Sequence, residues 1–217
     1  MYAILFISLQ KFISMIKLYN KLCENDKTKE EILKNIQIKK TECGDIFKVI
    51  PIMHKCFGIK SEEETIKELL YSDADLENSV KLVDKETEEI YGLLLFSHYP
   101  ITVGSPIMST DYDLGVFLKN YKQLNGYAFI IDERLRGTSL DKRMLLFNKE
   151  FTDQYDFIWC AVEKSLKSHN YWKRLGFYEV SACNEAIFYI MPKDKNMLFD
   201  IFIIKALLEK NEKNYNK

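Results

Sequence analysis

The stretch Ile130–Phe147 limits what this chain can fold into more than any other part of it. It reads Ile-Ile-Asp-Glu-Arg-Leu-Arg-Gly-Thr-Ser-Leu-Asp-Lys-Arg-Met-Leu-Leu-Phe. The apolar run Tyr127–Ile131 reads as a short strand, entered from a turn at Asn125-Gly126. A second turn, at Arg136-Gly137, leads into a helix. Leu140, Met144, Phe147 and Phe151 recur there at intervals of four, three and four, which is one helical face. Thr138, with Asp141 three residues on, fits a capping box. The first N–H groups of a helix have no partner within it, and the helix dipole gives them partial positive charge. Gly137 permits an unusual backbone angle, and Arg136, Lys142 and Arg143 add full charges. On spacing alone the turn suits a plain strand–helix junction best, although a phosphate group could dock there.

Phe157–Val162 is a further buried strand. Two apolar strands joined by a helix make a βαβ unit, expected as a right-handed parallel crossover. Around it the pattern is mixed α/β. Asn35–Lys40 alternates as a first strand, and Asp45–Cys56 reads as a helix with Pro51 inside it. Ser61 with Glu64 opens a helix running to Tyr71. Ser79–Val83 and Glu89–Ser97 form a hairpin across the polar turn Asp84–Glu88. His98–Leu124 is irregular, punctuated by Pro100, Gly104 and Pro106, with a helix around Val116–Tyr121. Ser168–Leu175 is a helix stopped by Gly176. Phe177–Ala182 and Ala186–Met191 pair as the last strands, and Pro192 ends the domain. Asp194 caps a final helix whose apolar residues run from Met197 to Leu208. The expected organisation is an N-terminal helical extension over 1–34, one domain over 35–192, and a C-terminal helix with a polar tail over 193–217.

Composition narrows the function classes. The net charge of −1 gives no basic excess, so nucleic acid is not an expected partner. The five cysteines are odd in number and scattered, which suits free thiols in a reducing cytoplasm. No Cys/His cluster has ligand spacing, so no metal is expected. Met1–Tyr19 is apolar but interrupted by Lys11 and Lys17, and it lacks the features of a signal peptide, so neither a membrane span nor a leader is expected. Its seam of Leu5, Leu9, Phe12, Ile16 and Tyr19 has several uses: packing on its own domain, a homodimer contact, or a membrane-surface helix. Met15 as the true initiator is a further option.

Two local motifs join this element order. The first is Arg136-Gly137-Thr138-Ser139-Leu140-Asp141. The second is His169-Asn170-Tyr171-Trp172-Lys173-Arg174-Leu175-Gly176-Phe177. Together, in this order and with a strand between them, they resemble the GNAT family of acetyl-CoA-dependent N-acetyltransferases. Arg136 and Gly137 match the start of the family's Arg/Gln-x-x-Gly/Ala-x-Gly/Ala pyrophosphate loop. The later small residues are replaced by Ser139 and Asp141. The second motif matches the family's Tyr/Trp-x-x-Leu-Gly-Phe ending, with Trp172 where many members carry Tyr. Asp141 is expected to turn back and cap the helix through Thr138, its charge offset by Lys142 and Arg143.

The resemblance implies a GNAT-like acyltransferase fold. Its central sheet would be mostly antiparallel, with a splayed parallel pair of fourth and fifth strands and flanking helices. It implies acetyl-CoA as cosubstrate. The backbone of Ile131 would pair with pantetheine amides. Arg136, Gly137, Thr138, Ser139, Leu140, Asp141, Lys142 and Trp172 would complete the coenzyme site. Glu133, His169 and Tyr171 would be the acid–base candidates; each also has an ordinary structural use. Cys160 reads as a buried small hydrophobe, with an acyl-cysteine route as the alternative. The implied reaction is direct transfer of acetyl to a primary amine, a small or amino-acid-like molecule, in a ternary complex. Acceptor selection would come from the first two helices, the His98–Leu124 segment and the final hairpin. The alternative is a non-catalytic coenzyme-binding or interaction module that keeps the fold.

Overall fold

The computed structural model describes residues 28–45, 48, 50–53, 63–64, 73–101, 105, 107–108, 111–166, 168–183 and 185–215. The apolar N-terminal seam, the Ser61–Tyr71 helix apart from residues 63–64, and the end of the first-domain helix beyond residue 53 lie outside them. Among the described residues the strands β1 (Ile36–Lys40), β2 (Ala74–Asp84), β3 (Ile90–Ser97), β4 (Gln123–Ile131), β5 (Phe157–Glu163), β6 (Tyr178–Ala182) and β7 (Ala186–Pro192) run in the order β1-β2-β3-β4-β5-β7-β6. The chain divides into two compact units: residues up to Phe96 with Ala128–Asn148, and Ser97–Tyr127 with everything from Lys149 on. Strand β4 (Gln123–Ile131) contributes its first half to the second unit and its last half to the first.

In the first unit, helix α1 (Lys29–Asn35) opens with a capping box. The Thr28 N–H donates to Glu31 Oε2 at 2.7 Å, and the Glu31 N–H donates to Thr28 Oγ1 at 3.4 Å. The helix buries Ile32 and passes directly into β1 (Ile36–Lys40). Strand β1 pairs antiparallel with β2 (Ala74–Asp84), Ile36 opposite Asp84 and Lys40 opposite Val80. The polar turn after β2 closes on Asp84, whose Oδ1 accepts from the Glu86 and Thr87 N–H groups. Every residue of β3 (Ile90–Ser97) is buried, as a central strand requires. Gly92 is needed there: a Cβ would lie 2.8 Å from Leu82 Cδ1 and 3.3 Å from the Ile130 carbonyl.

One charge pair is enclosed in this unit. Lys81 Nζ sits 2.6 Å from Asp45 Oδ2, both side chains under a tenth exposed, and Asp45 also accepts from the Glu42 N–H at 2.7 Å. Such a pair tolerates joint replacement far better than loss of one member, because a lone buried charge is the costly state.

Helix α3 (Leu140–Phe147) returns against β2, burying Leu140, Met144 and Leu145. The expected face also included Phe147 and Phe151, and this is corrected. Phe147 is exposed, and Phe151 belongs to a separate short helix, α4 (Lys149–Thr152). The break falls at Asn148, whose backbone leaves helical geometry and whose buried amide donates to the Asn78 carbonyl at 2.6 Å.

In the second unit, helix α2 (Tyr112–Lys119) is capped by Asp111, which accepts from the Leu114 N–H. It begins four residues before the expected helix and ends before Tyr121. Strand β5 (Phe157–Glu163) pairs antiparallel with β7 (Ala186–Pro192) along its whole length, and β7 pairs in turn with β6 (Tyr178–Ala182). Helix α5 (His169–Leu175) stops at Gly176, whose φ of 101° is the left-handed cap anticipated for it. Asp194 precedes the long helix α6 (Asn196–Tyr215) and accepts from the Asn196 N–H at 2.9 Å. The core joins Phe157, Trp159, Phe188 and Ile190 of the strands to Leu114 and Leu118 of α2 and Leu198 and Ile201 of α6.

Strand β4 starts earlier than expected. Asn125-Gly126 is not a turn but the middle of the strand, where Asn125 pairs with Trp159 of parallel β5. Pairing outweighs the local turn preference, and the Asn125 side chain is buried there. No described helix is long and apolar enough to cross a membrane.

Asp45→Asn leaves Lys81 as an uncompensated buried cation and is expected to cost about 3 kcal/mol or more of unfolding free energy. The joint change Asp45→Leu with Lys81→Met is expected to cost less than the single one. Urea unfolding of the three proteins checks both.

Candidate functional site

The first unit carries the loop between β4 and α3. Asp132 opens it: its N–H donates to the Tyr91 carbonyl at 2.8 Å, and its carboxylate grips Arg134 in a two-pronged pair at 2.9 and 2.8 Å. The Arg134 guanidinium also lies over the Tyr91 ring, 5.5 Å from its centre. Burial, together with the hydrogen bond to Glu89, pushes the Tyr91 phenol well above its ordinary range. A single 3-10 turn, Glu133–Leu135, follows and buries Leu135 while leaving Glu133 exposed. The loop is therefore anchored at its root before the motif residues begin.

Arg136 is extended and exposed. Gly137 then takes φ 78° and Ser139 φ 61°, both left-handed. A Cβ on Gly137 would meet nothing within 4 Å, so the glycine is required by its backbone angle and not by space. Ser139 bears the same conformation with a side chain, at a cost of roughly 1 kcal/mol. Backbone strain of this kind collects at functional sites.

The expected capping box is absent, and this too is a correction. Thr138 Oγ1 donates instead to the Leu135 carbonyl at 2.6 Å, and Ser139 is the cap residue with no side-chain bond to the helix. Asp141 Oδ1 accepts from the adjacent Lys142 N–H at 2.7 Å. The left-handed Ser139 carries the chain past the geometry that a Thr138–Asp141 box needs. The consequence favours anion binding. Among the described residues, the N–H groups of Gly137, Ser139, Leu140 and Asp141 have no hydrogen-bond partner within the chain. Arg136, Lys142 and Arg143 surround them, exposed. Leu140 is buried, so only its backbone is available there.

The second unit holds the other named candidates. Both ring nitrogens of His169 have partners. Nδ1 lies 3.2 Å from the Tyr189 hydroxyl, and Nε2 lies 3.2 Å from the Lys164 carbonyl. A carbonyl only accepts, so Nε2 carries a hydrogen toward Lys164; in the neutral ring Nδ1 then accepts from Tyr189. Burial raises the pKa of the Tyr189 phenol, keeping it a donor. The Tyr171 hydroxyl is buried, and its ring meets Trp172 edge-on at 5.9 Å. Trp172 is itself buried against Phe177, 5.2 Å away. Cys160 is fully enclosed on β5, and burial pushes its thiol far above the ordinary range. Ile131, which belongs to the first unit, ends β4 and is half-buried.

A cavity in the second unit was not foreseen residue by residue. Parallel pairing of β4 with β5 covers Gln123–Asn125 and Phe157–Trp159 and then stops, although β5 continues to Glu163. At that point a cleft of about 310 Å³ opens. Tyr99, Tyr127 and Trp159 give it aromatic walls, and Ser105 and Asn125 add neutral polar groups. Gly126 and Ala161 keep side-chain bulk out of it. Trp159 stacks on Phe188 at 5.2 Å, and its buried indole N–H has no partner among the described residues. Leaving a buried donor unmet costs about 1–3 kcal/mol, a cost that folded proteins usually avoid. Reading Asn125-Gly126 as a turn hid this site. Tyr99 and Ser105 do fall in the segment to which acceptor selection was assigned.

No protein-family model matches the chain, and no curated protein matches it in sequence. Solved structures do match its fold. One is NAA60 of Arabidopsis thaliana in complex with a bisubstrate analogue, at TM-score 0.53 and 12% identity, over 73% of this chain and 99% of that one. Another is a NatC complex bound to Gag peptide and CoA, at 0.51 and 13%, over 74% and 99%. A third is PH1933 from Pyrococcus horikoshii OT3, at 0.52 and 15%, over 73% and 99%.

The enclosure of Cys160 has a direct chemical consequence. Iodoacetamide at pH 8 is expected to leave Cys160 unmodified in the native protein, to react with the half-exposed Cys183, and to label both in urea. Peptide mass spectrometry reads each site separately.

Proposed function

We propose that this chain, which has the GNAT acyltransferase fold, is an acetyl-CoA-dependent N-acetyltransferase acting on a primary amine. The observation that carries the reading is the loop opening α3. Four unpartnered N–H groups, two left-handed residues and three exposed cations make a site built for a polyanion, at the position of the pyrophosphate motif. Its chemistry fits a coenzyme diphosphate. Asp141 opposes the fit only partly, because its carboxylate is engaged by the Lys142 N–H.

In this reading Gly137, Ser139, Leu140 and Asp141 donate their backbone N–H groups to the diphosphate. Arg136 and Lys142 neutralise its charge, and Thr138 holds the turn through its bond to Leu135. The backbone of β4 about Ile131 pairs with the pantetheine amides, as a sheet edge pairs with a peptide. Trp172 supports the α5–β6 junction by packing on Phe177. The coenzyme supplies the thioester acetyl group. The acceptor nitrogen attacks the acetyl carbonyl as a neutral amine, loses a proton, and the departing thiolate takes one up. Glu133, exposed at the start of the 3-10 turn, serves as base through water; Tyr171 and His169 are the other proton-handling candidates. The acceptor is a small amine. The matching fold of a complex bound to Gag peptide makes a peptide amine the competing acceptor class.

A second reading has its own support. Both nitrogens of His169 are occupied, Tyr171 is buried, and Cys160 is held as a neutral thiol. A chain so arranged also suits a module that binds the coenzyme without turning it over.

Calorimetric titration is expected to show saturable binding of acetyl-CoA and of CoA, and none of ATP. Absence of binding by both coenzymes would overturn the loop assignment and the enzyme reading with it. Gly137→Trp strains the left-handed position and is expected to weaken CoA binding about tenfold or more. Asp141→Asn removes a carboxylate beside the diphosphate and is expected to strengthen it by roughly threefold. Tight binding without thiol release across a broad amine panel would favour the non-catalytic reading.

A further inference from the structure

The segment that must attract an anion is barely cationic as a sequence. Residues 132–143 carry four cations, Arg134, Arg136, Lys142 and Arg143, against three carboxylates, Asp132, Glu133 and Asp141. So small an excess does little by itself to concentrate an anion. What matters is which cation each carboxylate takes up. Asp132 is the decisive one, because it opens the turn that Arg136 closes.

Both oxygens of Asp132 are given to Arg134. Arg134 Nε donates to Oδ1 at 2.9 Å and Nη2 donates to Oδ2 at 2.8 Å. The Arg134 backbone N–H adds a further bond to Oδ1 at 2.9 Å. The guanidinium is fixed from its face as well, by the buried Tyr91 ring. The Tyr91 hydroxyl donates to Glu89 Oε2 at 2.8 Å, which holds the ring in turn. All of these residues belong to the first unit. The Arg134 side chain is 31% exposed, and pairs at that exposure add little to stability. A planar fork stacked on a tethered ring is more construction than so small a gain explains. Its effect on the charges nearby is larger. Among the described residues, Arg136, Lys142 and Arg143 form no ion pair, and the Asp141 carboxylate is met by a backbone N–H.

From this we infer that Arg134 is a positioning residue for the coenzyme diphosphate: by holding Asp132 in the fork it keeps that carboxylate off Arg136 and leaves Arg136 open to the anion. The inference rests on the acetyl-CoA reading and adds a residue to it that does not itself touch the ligand. Loss of Arg134 alone then does harm twice. It uncovers a carboxylate beside the incoming diphosphate, and it gives Arg136 an internal partner. Loss of Arg134 together with the Asp132 charge does neither. Asn at 132 still offers an oxygen to the backbone N–H that Asp132 caps, so the turn keeps its bond. A fork that merely braced the turn would behave differently, because the double change removes the brace as completely as the single one.

The test measures CoA affinity by calorimetry at low ionic strength in four proteins: unsubstituted, Arg134→Gln, Asp132→Asn, and the double variant. Arg134→Gln is expected to weaken binding about tenfold, and the double variant to return to within about threefold of the unsubstituted protein. Asp132→Asn alone is expected to bind at least as tightly as the unsubstituted protein. At roughly 0.5 M sodium chloride the gap between Arg134→Gln and the double variant is expected to narrow. Equal binding by the unsubstituted protein and Arg134→Gln would overturn the inference. So would a double variant as weak as Arg134→Gln, which would reduce the fork to a brace.

A second measurement needs no coenzyme. Phenylglyoxal modifies accessible arginines, and peptide mass spectrometry reads Arg136 by itself in each protein. Arg136 is expected to react several times more slowly in Arg134→Gln, where Asp132 engages it, and to recover in the double variant. Melting temperatures establish that each variant is folded. This pattern in a protein that binds no CoA would leave the charge sorting in place and sink the coenzyme reading. Unchanged Arg136 reactivity in a protein that binds CoA would sink the inference and leave the coenzyme reading standing.

Discussion

Parallel pairing between β4 and β5 lasts for three residue pairs and then ends, and much of the second unit follows from that. Gln123, Leu124 and Asn125 are held opposite Phe157, Ile158 and Trp159. Beyond them β5 does not lose its other partner, because β7 accompanies it to Glu163. One edge of β5 is thus fully satisfied while the other is released. A sheet normally avoids such a gap, since unpaired backbone groups are costly when buried. Here the gap is lined by aromatic and small side chains and forms a cleft open to ligand. The same strand, β5, supplies Phe157 and Trp159 to the core and Ala161 to the cavity from one face, so the scaffold and the site share their framing residues.

The loop of the first unit obeys a different constraint. Its root is locked by the Asp132–Arg134 fork and by Tyr91, and its tip is held in two left-handed turns. The N–H groups of Gly137, Ser139, Leu140 and Asp141 stand at that tip without partners among the described residues. Asp141 is the exception to an otherwise cationic surface. Its carboxylate takes up the Lys142 N–H, one donor that an incoming anion would have used.

The elements that depended on strong local chemistry were legible in the sequence. The strand–turn–helix–strand unit, the stop at Gly176, the strand pair ending at Pro192 and the cap at Asp194 all appear in the structure close to where the residues place them. What was not legible depended on tertiary partners. Asn125-Gly126 has the composition of a turn, yet pairing with Trp159 draws it into a strand. Thr138 and Asp141 have the spacing of a capping box, yet the left-handed Ser139 between them turns the chain out of reach. Phe147 has the periodicity of a core residue, yet Leu145 is the one buried, because Asn148 ends the helix to meet Asn78. Of the candidate site, the loop before α3 was visible as a motif, and the parting of β4 from β5 was expected from the resemblance. The part of the cleft wall formed by Tyr99, Ser105 and Asn125 was not legible, because it comes from separated segments that only the fold brings together.

The enclosed pair of Lys81 and Asp45 bears on folding fidelity as well as on stability. From Val80 to Asp84 strand β2 is buried on both faces, so alternation of apolar and polar residues does little to choose its alignment. A slip of one residue against β1 would cost little in hydrophobic contact, and it would turn every side chain to the opposite face. Lys81 would then leave Asp45 behind, each charge without its partner. The ion pair makes the wrong alignment expensive where the apolar residues are indifferent, and so it acts as a proofreading contact for the first strand pair of the sheet.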